Sequence, residues 1–94
     1  MFTSRYSGES VGQTVAEQSE QIMKNIIGLL SELGLGLEAV VKTTIFLNSI
    51  DFFQSVNEVW GSYFSTYKPA RSCVEVSAIP KGALAEIEVI AKLK

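Results

Sequence analysis

The amino-acid sequence predicts an α+β fold in which two helices pack on one face of a sheet, with the element order β-α-β-α-β-β. Three observations predict this class. Two segments carry apolar residues at helical spacing, four segments are β-branched or alternate between apolar and polar residues, and the two kinds of segment follow one another along the chain. The length of 94 residues suits one domain, so we treat 1–94 as a single domain.

The first part of the chain predicts a short strand at Phe2-Thr3-Ser4, a loop up to residue 13, and a helix. Thr14 is expected to cap the helix, because Glu17 three residues later completes a capping box. Gly34 or Gly36 is expected to end it, since glycine readily adopts the left-handed conformation of a C-cap. The predicted buried face consists of Val15, Ile22, Met23, Ile26, Leu29, Leu30 and Leu33.

The middle of the chain predicts a strand and a second helix. Val40–Leu47 is rich in β-branched residues and apolar on nearly both faces, so each face must be covered. Ser49 or Asp51 is expected to cap the second helix, which ends before Pro69. Its predicted buried stripe contains Phe52, Phe53, Val56, Val59, Trp60, Tyr63 and Phe64.

The last two alternating segments, 70–76 and 84–93, are predicted to be strands that form a hairpin around a turn at 79–82. Alternation places residues two apart on one face. The apolar set that includes Val74 is expected to lie under the helices. The helix-free face is expected to carry Arg71, Cys73 and Glu75, together with Glu86 and Glu88.

The composition excludes several classes of function. The net charge is −2 and the eight Lys and Arg residues are scattered, whereas nucleic-acid binding normally needs clustered basic residues. One cysteine and no histidine exclude an internal disulfide and argue against a transition-metal site. We find no membrane-length apolar run and no signal-peptide pattern, so the sequence predicts a cytoplasmic protein.

Three motifs in the C-terminal part of the chain resemble the signature of the Rid family, also called YjgF or reactive intermediate deaminases. These motifs are PARSCVEV at 69–76, IPKGA at 79–83 and EIE at 86–88. Val40–Leu47 is similar to the family's central strand, and both helices resemble its helices. The likeness covers about residues 14–92.

The resemblance implies a chorismate-mutase-like fold that packs as a homotrimer, with sites in the clefts between subunits. It implies hydrolysis of 2-aminoacrylate or 2-aminocrotonate, as enamine or imine, to a 2-keto acid and ammonia, without cofactor or metal. By the same resemblance, Arg71 and Glu86 are the expected catalytic residues. Substrate binding is assigned to Arg71, Cys73, Asn57 and Ser4.

Each assignment has a simpler structural alternative. Arg71 can be an inter-subunit ion-pair partner, and Glu86 can pair with a lysine at the rim. Cys73 is more often a small buried apolar residue than a nucleophile, so we assign it no nucleophilic role. Asn57 can merely cap or bridge backbone groups.

The sequence departs from the family pattern at its beginning. A further strand and part of a second, which normally precede the first helix and supply an aromatic residue to the site, are missing. Arg5 and Tyr6 replace the glycine and glutamine expected after Ser4. Glycine allows close approach of a ligand to the backbone and arginine does not, so full deaminase activity depends on how this segment is arranged.

Two other functions remain as alternatives to an active deaminase. One is a non-catalytic trimer that binds small carboxylates or a protein partner, as the shortened N-terminus suggests. The other is the endoribonuclease or translation-inhibitor role attached to some relatives, which the acidic charge balance and the absence of histidine disfavour.

Overall fold

A computed structural model describes residues 2–7, 14–79 and 82–93. Its element order is β-α-β-α-β-β, as predicted, with two short 3₁₀ turns at Leu37–Ala39 and Ile50–Phe52. The elements are β1 (Phe2–Ser7), α1 (Val15–Glu32), β2 (Val40–Leu47), α2 (Phe53–Tyr63), β3 (Ala70–Glu75) and β4 (Ala85–Ala91). The predicted loop at 8–13 and the Pro80-Lys81 part of the predicted turn lie outside the described residues.

The four strands form one mixed sheet in the order β1-β4-β2-β3. β2 pairs in parallel with β3 and antiparallel with β4, and β1 pairs antiparallel with β4. The predicted β3–β4 hairpin is therefore wrong, because β2 lies between these two strands. α2 carries the chain back across the sheet so that β3 starts beside the start of β2, which is the geometry of a parallel crossover.

The burial of the strands reflects the central position of β4 and the edge position of β3. Five of the seven residues of β4 are buried and the other two are half-buried, whereas β3 is exposed at five of its six positions. β4 has a paired strand on each side and helices over one face, whereas β3 has a paired strand on one side only, and a polar strand can lie at such an edge. The motif around Arg71 therefore lies on an edge strand.

The core lies between the two helices and one face of the sheet. Ile22, Met23 and Ile26 of α1 have no exposed surface, and full burial of such a side chain contributes about 1.5–3 kcal/mol. The sheet contributes Val40, Ile45, Leu47, Ala85, Ile87, Val89 and Ala91, and the helices also contribute Val15, Leu30, Val56, Val59, Trp60 and Phe64.

The predicted helix signals are largely confirmed. The Thr14 hydroxyl accepts from the backbone N–H of Glu17 at 3.1 Å, and the Glu17 carboxylate accepts from the backbone N–H of Thr14 at 2.9 Å. Gly34, with φ of 73°, follows the end of α1. Ser49 caps the 3₁₀ turn Ile50–Phe52 instead of α2 itself, since its side chain accepts from the backbone N–H of Asp51.

Thr14→Ala is expected to destabilise the protein by about 1 kcal/mol, because it leaves an N-terminal amide of α1 without its side-chain acceptor. Hydrogen bonds from the backbone of Thr14, and second from its side chain, lower the pKa of Glu17. The charged Glu17 carboxylate therefore stabilises the fold in full above the pKa that it has in the unfolded chain, and this stabilisation is lost as the pH falls through its lower pKa in the folded chain. Urea unfolding at pH 7 measures the loss, with Ser31→Ala on the same helix as the control. Equal stabilities of Thr14→Ala and Ser31→Ala would contradict this account of the cap.

Candidate functional site

Arg71 and Cys73 lie on the helix side of the sheet, not on the helix-free side as predicted. In the parallel pairing with β2, Arg71 lies opposite Thr43 and Cys73 opposite Ile45, and both partners are fully buried beneath the helices. By alternation, Val74 lies on the helix-free face, where 42% of it is exposed. Period-two spacing had grouped these residues correctly but could not tell which face the helices cover.

Glu75 shares the helix side with Arg71, and its carboxylate accepts a hydrogen bond of 2.7 Å from the backbone N–H of Ile50. This contact ties the end of β3 to the turn that leads into α2. The predicted placement of Glu75 on the helix-free face is wrong for the same reason. Its role here is structural.

The guanidinium of Arg71 is held by one face of α2. Its Nη1 donates to Oδ1 of Asn57. Its central carbon lies 4.7 Å from the centre of the Trp60 ring and 5.5 Å from that of Phe53, within the range of cation–π attraction. Trp60 is itself fixed, because its indole N–H donates a 3.0 Å hydrogen bond to the hydroxyl of buried Thr43. The Arg71 side chain is therefore exposed to solvent, but these contacts fix the orientation of its guanidinium.

A concavity of about 460 Å³ opens beside Arg71. Two of its lining side chains are cationic, and among the described residues that line it none is acidic. Its lining residues are Asn57, Trp60, Gly61, Lys68, Pro69 and Arg71. Arginine binds a carboxylate through two parallel hydrogen bonds, so the concavity has the chemistry of a site for a small carboxylate.

Cys73 is half-buried on the same strand and packs against the core. Burial raises the pKa of its thiol more than the nearby Arg71 lowers it. The thiol form therefore predominates at neutral pH, and only the thiolate is a nucleophile. This agrees with the sequence interpretation of Cys73 as a residue without a nucleophilic role.

Glu86 lies on the opposite face of the sheet, where it was expected. It is paired with Phe46 of β2, and only 8% of the residue is exposed. Its Oε1 lies 3.3 Å from Nε of Arg5, and Oε2 of Glu88 lies 3.4 Å from Nη2 of the same arginine. The sequence had suggested a lysine as the structural partner of Glu86, whereas the structure provides Arg5.

The structure divides the expected site residues into separate groups. Arg71, Asn57 and Cys73 come together at the β3 edge on the helix side, whereas Glu86 is on the other face. Ser4, in β1 opposite Val89, lies at the far edge of the sheet, which is roughly 14 Å away for three strand spacings. A single chain therefore cannot place Arg71 and Glu86 on one small substrate.

Sequence reasoning missed several side chains near Arg71 and Glu86, among them Trp60, Lys68 and Arg5. Trp60 was assigned to the core alone, although its position three residues after Asn57 puts both on one side of α2. Lys68 and Arg5 carried no motif signal. Their proximity to the candidate residues depends on the β2–β3 and β1–β4 pairings.

Among residues 2–7, 14–79 and 82–93, neither helix is long and apolar enough to cross a membrane. Within the same ranges, no three His, Cys, Asp or Glu side chains are grouped so that they could hold a metal ion.

Comparison with known proteins gives a family match over nearly the whole chain. Residues 3–93 match the family model described as Endoribonuclease L-PSP. A RutC family protein of Pyrococcus abyssi is 44% identical over 85 residues, which are 90% of this chain and 67% of that protein. Reactive Intermediate Deaminase A of Arabidopsis thaliana, a chloroplastic protein, is 42% identical over 87 residues, which are 93% of this chain and 46% of that protein.

Solved structures show the same fold. The crystal structure of RidA from an Antarctic Psychrobacter superposes with a TM-score of 0.89 at 32% identity, over 97% of this chain and 80% of that one. A Rid-family protein of Yersinia pestis, described as of unknown function, gives a TM-score of 0.86 at 46% identity, over 92% of this chain and 69% of that one. The predicted α+β, chorismate-mutase-like class is confirmed.

Proposed function

The chain belongs to the Rid family, whose model is described as Endoribonuclease L-PSP, and from this premise we propose that it is a hydrolase that deaminates reactive 2-imino acids. Its substrates in this proposal are 2-aminoacrylate and 2-aminocrotonate, and its products are 2-keto acids and ammonia. The observation that carries the proposal is the oriented guanidinium of Arg71 beside a concavity with two cations. The name of the Arabidopsis relative, Reactive Intermediate Deaminase A, supports the class of reaction.

Arg71 binds the substrate carboxylate. Asn57, Trp60 and Phe53 hold the guanidinium before the substrate arrives, which reduces the conformational entropy lost on binding. Lys68 adds a second positive charge at the concavity. These residues position the imine carbon but contribute no group that is suited to activate water.

Glu86 is the proposed base, and it must come from a second copy of the chain. Arg71 and Glu86 lie on opposite faces of one sheet, so they can meet only where the helix-free face of one copy approaches the β3 edge of another. Exposed Val74 and half-buried Phe46 make part of that face apolar, which favours its coverage by a neighbour. We take the assembly to be a homotrimer, as the family resemblance implies.

The proposed reaction balances as a hydrolysis. The enamine takes a proton from solvent at its terminal carbon and becomes the iminium. Water then adds to the iminium carbon while the Glu86 carboxylate accepts one of its protons. The protonated Glu86 returns that proton to the nitrogen, ammonia leaves, and the remaining hydroxyl loses its proton to solvent as the ketone forms.

A dehydratase-coupled assay tests this proposal. A pyridoxal-phosphate-dependent dehydratase generates 2-aminoacrylate, and pyruvate formation is followed with and without the purified chain. Acceleration over buffer is expected. The proposal is wrong if the chain does not accelerate pyruvate formation. If pyruvate then still binds to wild type but not to Arg71→Lys, the chain is a non-catalytic trimer that binds carboxylates.

A further inference from the structure

Arg5 joins the two carboxylates on the helix-free face. Its Nε lies 3.3 Å from Oε1 of Glu86, and its Nη2 lies 3.4 Å from Oε2 of Glu88. Its central carbon lies 4.4 Å from the centre of the Phe46 ring. These contacts connect β1, β4 and β2 through a single guanidinium. We propose that Arg5 is a positioning residue that holds the Glu86 carboxylate in the orientation needed to accept a proton from water, an inference that rests on the proposed function.

Burial makes such a partner necessary. The Glu86 side chain is only 10% exposed, whereas that of Arg5 is 51% exposed. A carboxylate removed from water is costly unless a cation or hydrogen-bond donors compensate it. Arg5 supplies the cation while part of its own side chain stays in water, so the desolvation cost falls mainly on Glu86.

The geometry of these contacts indicates that Arg5 orients the Glu86 carboxylate in addition to compensating its charge. Nε and Nη2 lie on the same edge of the planar guanidinium, so the contact with Glu88 fixes the direction in which Nε meets Glu86. Stacking over Phe46 restricts rotation of the guanidinium plane. The ammonium group of lysine is not planar and does not present two parallel N–H donors. A lysine at this position can therefore supply the charge but cannot fix the orientation of the Glu86 carboxylate.

The position of Arg5 in β1 follows from register. Arg5 is paired directly with Glu88, and Glu86 is the next residue of β4 on the same face. β4 also pairs Glu86 with Phe46 of β2, the aromatic residue over which the Arg5 guanidinium lies. Neighbours two apart on adjacent strands are within reach of a long side chain. The Arg5–Glu86 contact therefore follows from the register of β1 and β4.

A double-mutant cycle tests the proposal. Arg5→Gln is expected to lower kcat about tenfold with little change in KM, because Arg71 still binds the substrate. In a Glu86→Gln background, Arg5→Gln is expected to cause no further decrease in kcat, since its effect passes through Glu86. Arg5→Lys is expected to recover only part of the rate.

Lys42→Gln is the matched control, because Lys42 is an exposed cation that alternation places on the same face. It should leave kcat unchanged. The proposal is overturned if Arg5→Gln keeps wild-type kcat, or if it lowers the rate by the same factor with Glu86 present and absent. The latter result would indicate a general structural role.

A crystal structure of Arg5→Gln gives a readout that does not need turnover. The proposal expects the Glu86 carboxylate to shift by about 1 Å or more, a displacement large enough to affect catalysis. An unchanged carboxylate overturns it. Failure of this inference alone leaves an active wild type and an impaired Glu86→Gln variant, whereas failure of the proposed function leaves a wild type that does not accelerate deamination.

Discussion

Replacing Arg71 with lysine is expected to lower kcat/KM for 2-aminoacrylate about a hundredfold. Lysine keeps the charge but cannot form two parallel hydrogen bonds with a carboxylate, and it loses the stacking on Trp60 and Phe53. Loss of this charge-assisted pair costs about 3 kcal/mol, and each 1.4 kcal/mol or so is tenfold. The dehydratase-coupled assay measures the rate, and titration with pyruvate measures binding separately.

The stability of Arg71→Lys should stay close to that of wild type, because Arg71 is exposed and its contacts are at the surface. Lys68→Gln is a useful comparison in the same concavity, since it removes a cation that makes no described hydrogen bond. Its effect should be clearly smaller. Equal kcat/KM for wild type and Arg71→Lys would remove Arg71 from the substrate site.

Replacing Glu86 with glutamine is expected to lower kcat by at least about a hundredfold, with KM nearly unchanged. Glutamine has almost the same shape but cannot accept a proton from water, and general acid–base catalysis typically contributes about 10²–10⁴-fold. The substrate carboxylate is bound by Arg71 on another surface, so binding should survive. Steady-state kinetics with generated 2-aminoacrylate separates the two parameters.

Glu88→Gln is the matched control for Glu86→Gln. Glu88 lies on the same face of β4 and contacts the same arginine, but it is less buried, with 27% of its side chain exposed. A small decrease is expected from Glu88→Gln, through the orientation of Arg5. If the two substitutions were equally damaging, or if Glu86→Gln were harmless, the assignment of Glu86 as the base would be wrong.

Local signals predicted the elements of this fold well because their causes are local. The Thr14–Glu17 capping box depends on residues three apart, and Gly34 ends α1 through its own backbone freedom. The β-branched run of Val40–Leu47 marked the central strand for similar reasons. These features require no knowledge of distant partners.

Strand pairing and facing could not be predicted because they depend on long-range packing. Alternation correctly grouped Arg71 with Cys73, but the number and positions of covering helices decide which face is inside. The polarity of the β3 residues pointed to the wrong face of the sheet. Because β3 is an edge strand, Arg71 faces α2 and still reaches solvent. The Arg5–Glu86 contact has the same origin, because β1 and β4 are far apart in sequence.

The most direct test of the central claim uses mixed assemblies of two inactive variants. Arg71→Lys and Glu86→Gln are unfolded together, refolded at equal concentrations and assayed. If each site takes Arg71 from one copy and Glu86 from its neighbour, roughly one quarter of the sites in randomly mixed rings regain both intact residues. The account predicts recovery of about that fraction of wild-type activity, and a mixture as inactive as its separate components would contradict it.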